Sequence, residues 1–272
     1  METFDEKIVF EFAKNLRKNI LKMSLSAGAA SSHFGGALSC VDIVAVLFKN
    51  IINFNKKNYK DLSRDRFILS KGHACMALYS VLKEIELISE EELLTFEQSN
   101  SFLLGHPVKN IEKGIELSTG SLGMGLSISM GIALGFKKKK INSNVYVIIG
   151  DGECNEGSIW EVAMSAPKFN LDNLCVILDR NNFQQTGSGN EILNLNPLSE
   201  KWKSFNWDVL EINGHNYQDI FNSLSKQSEK PKIIIANTIK GKGFSFSENN
   251  NDWHHKVLTK NQYEDALNEL EK

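Results

Sequence analysis

Two short polar clusters carry the clearest chemistry in the chain. Gly150-Asp151-Gly152 follows the apolar run Val145-Tyr146-Val147-Ile148-Ile149, and Asn181-Asn182 closes a second run that begins Leu174-Cys175-Val176-Ile177-Leu178. A carboxylate and an amide oxygen are hard ligands suited to Mg²⁺ or Ca²⁺. Gly152 allows close approach of backbone to a ligand, and a helix expected to open near Gly157 would aim its free N–H groups at an anion. A cation beside an anion points to a bound diphosphate. Gly-Asp-Gly alone would be an ordinary tight turn between a strand and a helix. The Asn pair about thirty positions later, after another buried strand, gives it meaning.

These clusters meet only if the two apolar runs are parallel neighbours joined by the intervening helix, with both carboxyl ends on one sheet edge, where open α/β sheets bind ligands. Continuous apolar runs suit strands buried on both faces. Helical spacing alternates with short β-branched runs along the chain, which predicts an α/β fold with a mainly parallel sheet flanked by helices. Further strands are expected at 67–69, 208–212 and 233–236. Helices are expected at 4–23, 41–52, 72–82, 122–136, 158–168, 217–225 and 261–270. The 122–136 stretch is rich in Gly, Ser and Met, so it is expected to be buried against another backbone. The four lysines at 137–140 suit the negative end of that helix better than a nucleic-acid role.

Composition narrows the class. The 272 residues are 42% hydrophobic and 24% charged, with 31 Lys+Arg against 33 Asp+Glu and a net charge of −2. That excludes a disordered or supercharged chain and argues against nucleic acid or an anionic membrane as partner. No apolar run approaches the roughly 20 residues of a bilayer span. The acidic, amphipathic start lacks a secretory layout. Cys40, Cys75, Cys154 and Cys175 form no CxxC pair, so reduced, buried thiols in a cytoplasmic protein are expected. With no repeat and no long linker, residues 1–272 are expected to form one domain.

The Gly-Asp-Gly and Asn-Asn pair resembles the thiamin-diphosphate motif of thiamin-dependent enzymes. Further segments resemble transketolase: Ser32-His33-Phe34-Gly35-Gly36; Asp65-Arg66-Phe67-Ile68-Leu69-Ser70-Lys71-Gly72-His73; Gly105-His106-Pro107; Thr119-Gly120-Ser121-Leu122-Gly123; and Lys240-Gly241-Lys242-Gly243 with Trp253-His254. They stand in the family's order over nearly the whole chain. The resemblance covers the N-terminal diphosphate-binding domain only. It therefore implies the N-terminal subunit of a split transketolase, moving a two-carbon ketol unit between sugars.

By resemblance, Asp151, Asn181 and the carbonyl of Phe183 would ligate Mg²⁺ or Ca²⁺. His73, His254 and Gly152 would hold the diphosphate, with Gly120, Ser121 and Leu122 along the aminopyrimidine. His33, His106 and His254 would face the sugar, with His33 and His254 as the catalytic pair. Imidazole suits hydrogen bonding and proton relay near pH 7. Phe34 stands where the family has Pro, Ser121 where Pro is common, and His255 where Gly is usual, so His255 could swing into the space of His254. Glu156 resembles a glutamate at the family's subunit interface, while His215 is expected to be structural or peripheral, and Arg64 and Asp65 a surface pair.

The resemblance also implies a partner chain carrying the pyrimidine-binding domain, in an assembly of two copies of each. Three alternatives stand beside this reading: another thiamin enzyme, such as the α subunit of a 2-oxoacid dehydrogenase; a split transketolase for an unusual, for example nucleotide-linked, sugar; and a non-catalytic relic. The histidine set argues against the first. The intact ligand positions argue against the last.

Overall fold

The computed structural model describes residues 4–271. Its frame is a five-stranded sheet of β1 (Arg66–Leu69), β2 (Val145–Gly150), β3 (Leu174–Arg180), β4 (Asp208–Asn213) and β5 (Lys232–Asn237). The strands lie in the order β1-β2-β3-β5-β4, every pair parallel. All carboxyl ends therefore share one edge. β2 is buried along its whole length and β3 all but its last residue, as their continuous apolar runs require.

The helices are α1 (Glu6–Ala27), α2 (Phe34–Leu38), α3 (Val41–Val46), α4 (Cys75–Glu84), α5 (Glu90–Leu93), α6 (Met124–Lys139), α7 (Gly157–Lys168), α8 (Gly189–Ile192), α9 (Leu198–Ser204), α10 (Tyr217–Ser225) and α11 (Lys260–Leu270). Alternate strand residues divide the core in two. Phe67, Leu69, Tyr146, Ile148, Ile177 and Ile234 pack with α1, α3, α4 and α10. Ile68, Val147, Ile149, Val176, Leu178 and Ile235 pack with α6, α7 and α9, where Trp202 and Trp207 meet edge to face. The result is a three-layer α/β sandwich, the expected class. The helix expected at 41–52 is α3 followed by a wider π-helical turn over Leu47–Ile51. All four cysteines are free and buried.

Two expectations need correction. The small-residue helix is not fully buried. Leu126, Ala133 and Phe136 face the core, but Met124 and Ile128 on α6 stay exposed, as do Leu122 before it and Met164 and Phe169 on and just past α7. Glycines pack a backbone closely only where another backbone lies against them, and Gly131 and Gly135 face open space. Nor are Arg64 and Asp65 a surface pair. Both are buried: Arg64 pairs with Glu116, and Asp65 accepts the backbone amides of Asn53 and Asn144. Buried charges need partners, and a loop distant in sequence supplies one of them.

Candidate active site

The carboxyl edge opens into a cleft of about 460 Å³ lined by residues from the ends of β1, β2 and β3 and from the loops carrying His33, His106, Gly120 and His254. Gly150 pairs with Asp179 in the ladder, so Asp151 and Asn181 emerge side by side. Asp151 Oδ1 accepts from Gly152 N at 2.9 Å and Oδ2 from Asn182 N at 2.7 Å, tying the two turns together. Asn182 reaches this position through a left-handed φ of 62°, which Asn tolerates. Among the described residues Asp151 forms no salt bridge. Burial, and secondarily the nearby Asp179, push its pKa up to about 6.

Beneath them lies a buried ion pair. The Lys71 ammonium, from the turn after β1, meets the Asp179 carboxylate on β3, which also accepts from Ser39 (2.6 Å) and Thr238. Burial alone would raise Asp179; Lys71 and these donors hold it below its ordinary value. Asn181 Nδ2 lies 3.4 Å from Asp179, and Asn181 Oδ1 accepts from Phe183 N at 3.0 Å, which together fix the amide plane. Glu153 is buried at the same edge and braces three segments, accepting from Gly150 N, Gly123 N and Ser70 Oγ.

Facing this floor is a group of histidines. The His33 ring lies 5.5 Å from His73 and His106, 5.4 Å from His254 and 4.5 Å from His255. An antiparallel bridge between Ser32 and Lys256 brings the two His-bearing segments together. The glycine pair of α2 makes room: a Cβ at Gly35 would lie 2.9 Å from Trp253 O, and one at Gly36 would lie 3.1 Å from the His73 ring. His106 sits on a loop tied to α4 by Tyr79 Oη donating to Leu104 O at 2.9 Å and by Cys75 Sγ to Gly105 O. Gly120, at φ 145°, lies against the His106 ring.

Burial keeps His33, His73 and His254 neutral. It lowers His33 to about 3, with His255 the next cause, and His254 to about 4, with Lys240 next. His73 is likewise held well below its ordinary value, by burial and then Lys71. His255 does not take the place of His254; its ring lies 4.5 Å from that of His33 and is bonded to Ser31 Oγ at 3.0 Å, while His254 is held by Lys240. Ser121, Leu122 and Glu156 are exposed at the cleft mouth, and Glu156 precedes α7 without its side chain capping the helix. His215 stands behind the cleft, between Asp42 and the amide of Ile239.

Lys71, Glu153, Asp179 and Lys240 are site residues that received no role from sequence reasoning. Lys240 Nζ donates to His254 Nδ1 at 3.0 Å and to Asn251 Oδ1 at 2.5 Å. Burial, then Lys71, lowers its pKa to about 8. A charged residue inside an apolar strand (Asp179) and a lysine between glycine-flanked turns (Lys240) were the available signals.

The donor set suits a metal that arrives with an anionic ligand. Among the described residues no cluster of three or more His, Cys, Asp or Glu could hold an ion alone. Asp151 is instead a half-buried carboxylate without an ion pair, beside an amide oxygen, with Lys240 nearby to receive an anion. A Cβ at Gly152 would meet only Gln184, at 3.5 Å, so protein atoms leave that space to a ligand.

This fold and cleft define a diphosphate-binding α/β domain. Similarity to known proteins makes the class specific: residues 11–270 match the family described as transketolase, thiamine diphosphate binding domain, and the chain belongs to that family. It is 41% identical over 268 residues to an apulose-4-phosphate transketolase subunit of Phocaeicola vulgatus, covering 97% of this chain and 94% of that one. It is 40% identical to the 6-deoxy-6-sulfo-D-fructose transketolase subunit SqwG of a Clostridium species, with 88% of each chain covered. The crystal structure of Campylobacter jejuni transketolase superposes with a TM-score of 0.90 at 33% identity, covering 98% of this chain but 43% of that one. The chain thus spans nearly all of the subunit-sized relative and under half of the solved transketolase.

Proposed function

We propose that this chain is the diphosphate-binding subunit of a split transketolase in the cytoplasm, which transfers a two-carbon ketol unit from a ketose to an aldose together with a chain carrying the pyrimidine-binding domain. One observation carries the reading. A cleft whose floor carries Asp151, Asn181 and Lys71 below a wall of histidines opens beside an uncovered apolar surface on α6 and α7, in a chain that matches the Phocaeicola transketolase subunit over nearly its full length.

Asp151, Asn181 Oδ1 and the Phe183 carbonyl would hold Mg²⁺, with Ca²⁺ as the alternative. His73, Gly152, His254 and Lys240 would receive the diphosphate, and the Gly120-Ser121-Leu122 backbone the aminopyrimidine. Thiamin diphosphate, when bound, supplies the carbon nucleophile and electron sink for breaking and remaking a carbon–carbon bond. His33, His106 and His254 would line the sugar. Because burial holds His33 neutral at pH 7, its unprotonated nitrogen can accept a proton from a sugar hydroxyl and return it, while neutral His254, whose Nδ1 takes the Lys240 ammonium, would donate from Nε2 to a sugar or diphosphate oxygen. The open face of α6 and α7, with Glu156 at its edge, would be covered on assembly, as two copies of each chain. The names of the relatives favour a second reading within the same chemistry: a donor or acceptor outside the common sugar phosphates, such as apulose 4-phosphate or a sulfosugar.

The test is a calorimetric titration of thiamin diphosphate with Mg²⁺ into the purified chain, alone and mixed with a candidate pyrimidine-domain chain, with Asp151→Ala as control. Binding and xylulose 5-phosphate cleavage only in the mixture, both lost in the control, are expected. Binding without cleavage would shift the substrate to the unusual sugars. Absence of binding in the mixture would overturn the proposal.

A further inference from the structure

His215 lies outside the cleft, yet it is two contacts from the residues that line it. Its Nε2 is 2.8 Å from the backbone nitrogen of Ile239. An amide can only donate, so Nε2 carries no proton and the ring proton sits on Nδ1. Nδ1 is 2.8 Å from Asp42 Oδ2. Asp42 is buried and held in place by both its oxygens on Arg17 of α1 at 2.9 Å and by Tyr217 Oη of α10 at 3.0 Å. The tautomer and tilt of His215 are therefore set by a charge network anchored in three helices, α1, α3 and α10.

Ile239 is followed by Lys240, whose ammonium donates to His254 Nδ1 at 3.0 Å. An ammonium has no acceptor, so His254 Nδ1 is bare and its proton is on Nε2. The rest of this turn is pinned around the same points. Thr238 is bonded to Asp179, and Arg17 Nε lies 3.4 Å from Lys242 O. At Gly243, φ 112°, a Cβ would come within 2.6 Å of the same Arg17. Among the described residues, His215 is the one side chain that takes the amide next to Lys240.

The geometry points to His215 as a positioning residue: the Asp42–His215 pair, through the Ile239 amide, sets Lys240 against His254 and so fixes which His254 nitrogen carries the proton that faces the cofactor and substrate. This rests on the proposed thiamin-diphosphate site, but it makes a statement about the chain itself. His215 touches neither ligand and acts only through Lys240.

The test uses two replacements that split the ring's contacts. In His215→Asn the amide nitrogen takes the place of Nδ1 and keeps the bond to Asp42, leaving Ile239 without an acceptor. In His215→Gln the amide oxygen reaches the place of Nε2 and restores that acceptor. Long-range ¹H–¹⁵N spectra of the full chain, free of ligand, read the His254 tautomer directly. Wild type and His215→Gln are expected to show one His254 tautomer, protonated on Nε2, and His215→Asn a mixture. In the assembled complex, His215→Asn is expected to weaken thiamin diphosphate binding about tenfold, as for a lost hydrogen bond that leaves a buried donor unpaired, and His215→Gln by no more than about threefold. Melting temperatures of the two variants should match, since each loses one bond. An unchanged His254 signal in His215→Asn would overturn the inference, as would equal losses in both variants. Should either variant fail to fold, Lys240→Met in the wild-type background serves instead: it must produce the same His254 mixture, and a single tautomer there overturns the inference. Failure of the wild-type complex to bind the cofactor would count against the function alone, because the spectra of the free chain decide the role of His215 independently.

Discussion

Asp151 is where stability and function oppose each other most directly. Its carboxyl is half-buried, without an ion pair, and raised to about 6 from an ordinary 3.8. A raised acid binds its proton more tightly folded than unfolded, so this group withdraws stability from the metal-free chain as pH rises from about 4 to about 6. At ~1.36 kcal/mol per pH unit the penalty reaches on the order of 3 kcal/mol at neutral pH. Asp151→Asn should therefore raise the melting temperature of the metal-free chain at pH 7, leave it nearly unchanged at pH 4, and abolish Mg²⁺-dependent thiamin diphosphate binding. A lower melting temperature at pH 7 would mean that the carboxylate is already neutralised in the free chain. Binding in the wild type should strengthen with pH up to about 6 and then level off, because the metal takes only the ionised form. Four of the histidines at this edge were identifiable from their neighbours in sequence. The surroundings of His255 and the role of Lys240 were not, because both depend on a loop that folds back onto residues remote in the chain.

At the scale of elements, the site is held together by the turns that leave the strands. Lys71, in the turn after β1, and Asp179 on the non-adjacent strand β3 meet across the end of β2. Removing one member leaves a buried charge with no counterion, which costs ~3–5 kcal/mol, whereas removing both often costs little. Lys71→Met is expected to lower the free energy of urea-induced unfolding by that amount, and adding Asp179→Asn to recover at least half of it. If the double variant is no more stable than the single, the pair is not the brace that the packing indicates. The strands themselves were legible: β2 and β3 are continuous apolar runs, and only parallel, two-sided burial suits them. The charged brace was not, since a lysine after a short strand has nothing local to distinguish it from a solvated one.

For the whole molecule, the exposed apolar residues of α6 and α7 decide what assembly should look like. Ile128 is 38% exposed and Met164 57%. A charge placed on an exposed side chain alters fold stability by about 0.5 kcal/mol or less, while in a buried interface it is costly. Ile128→Asp should leave the melting temperature of the lone chain unchanged and prevent association with the pyrimidine-domain chain, as read by sedimentation velocity. Undisturbed association would place the contact on another surface.

The amino-acid sequence alone settled the architecture and pointed to the candidate residues of the floor, because both rest on local information: runs of apolar residues that only a buried parallel strand accommodates, and oxygen-bearing side chains placed directly after two of them. It could not settle which charges are buried. Arg64 finds Glu116, Lys71 finds Asp179, and Lys240 finds His254 only when loops remote in sequence converge. A charged side chain carries no mark of its future burial; the desolvation it suffers and the partner that offsets it are properties of the folded chain. The open side of α6 followed the same rule, since glycines permit close packing but do not say what will pack there.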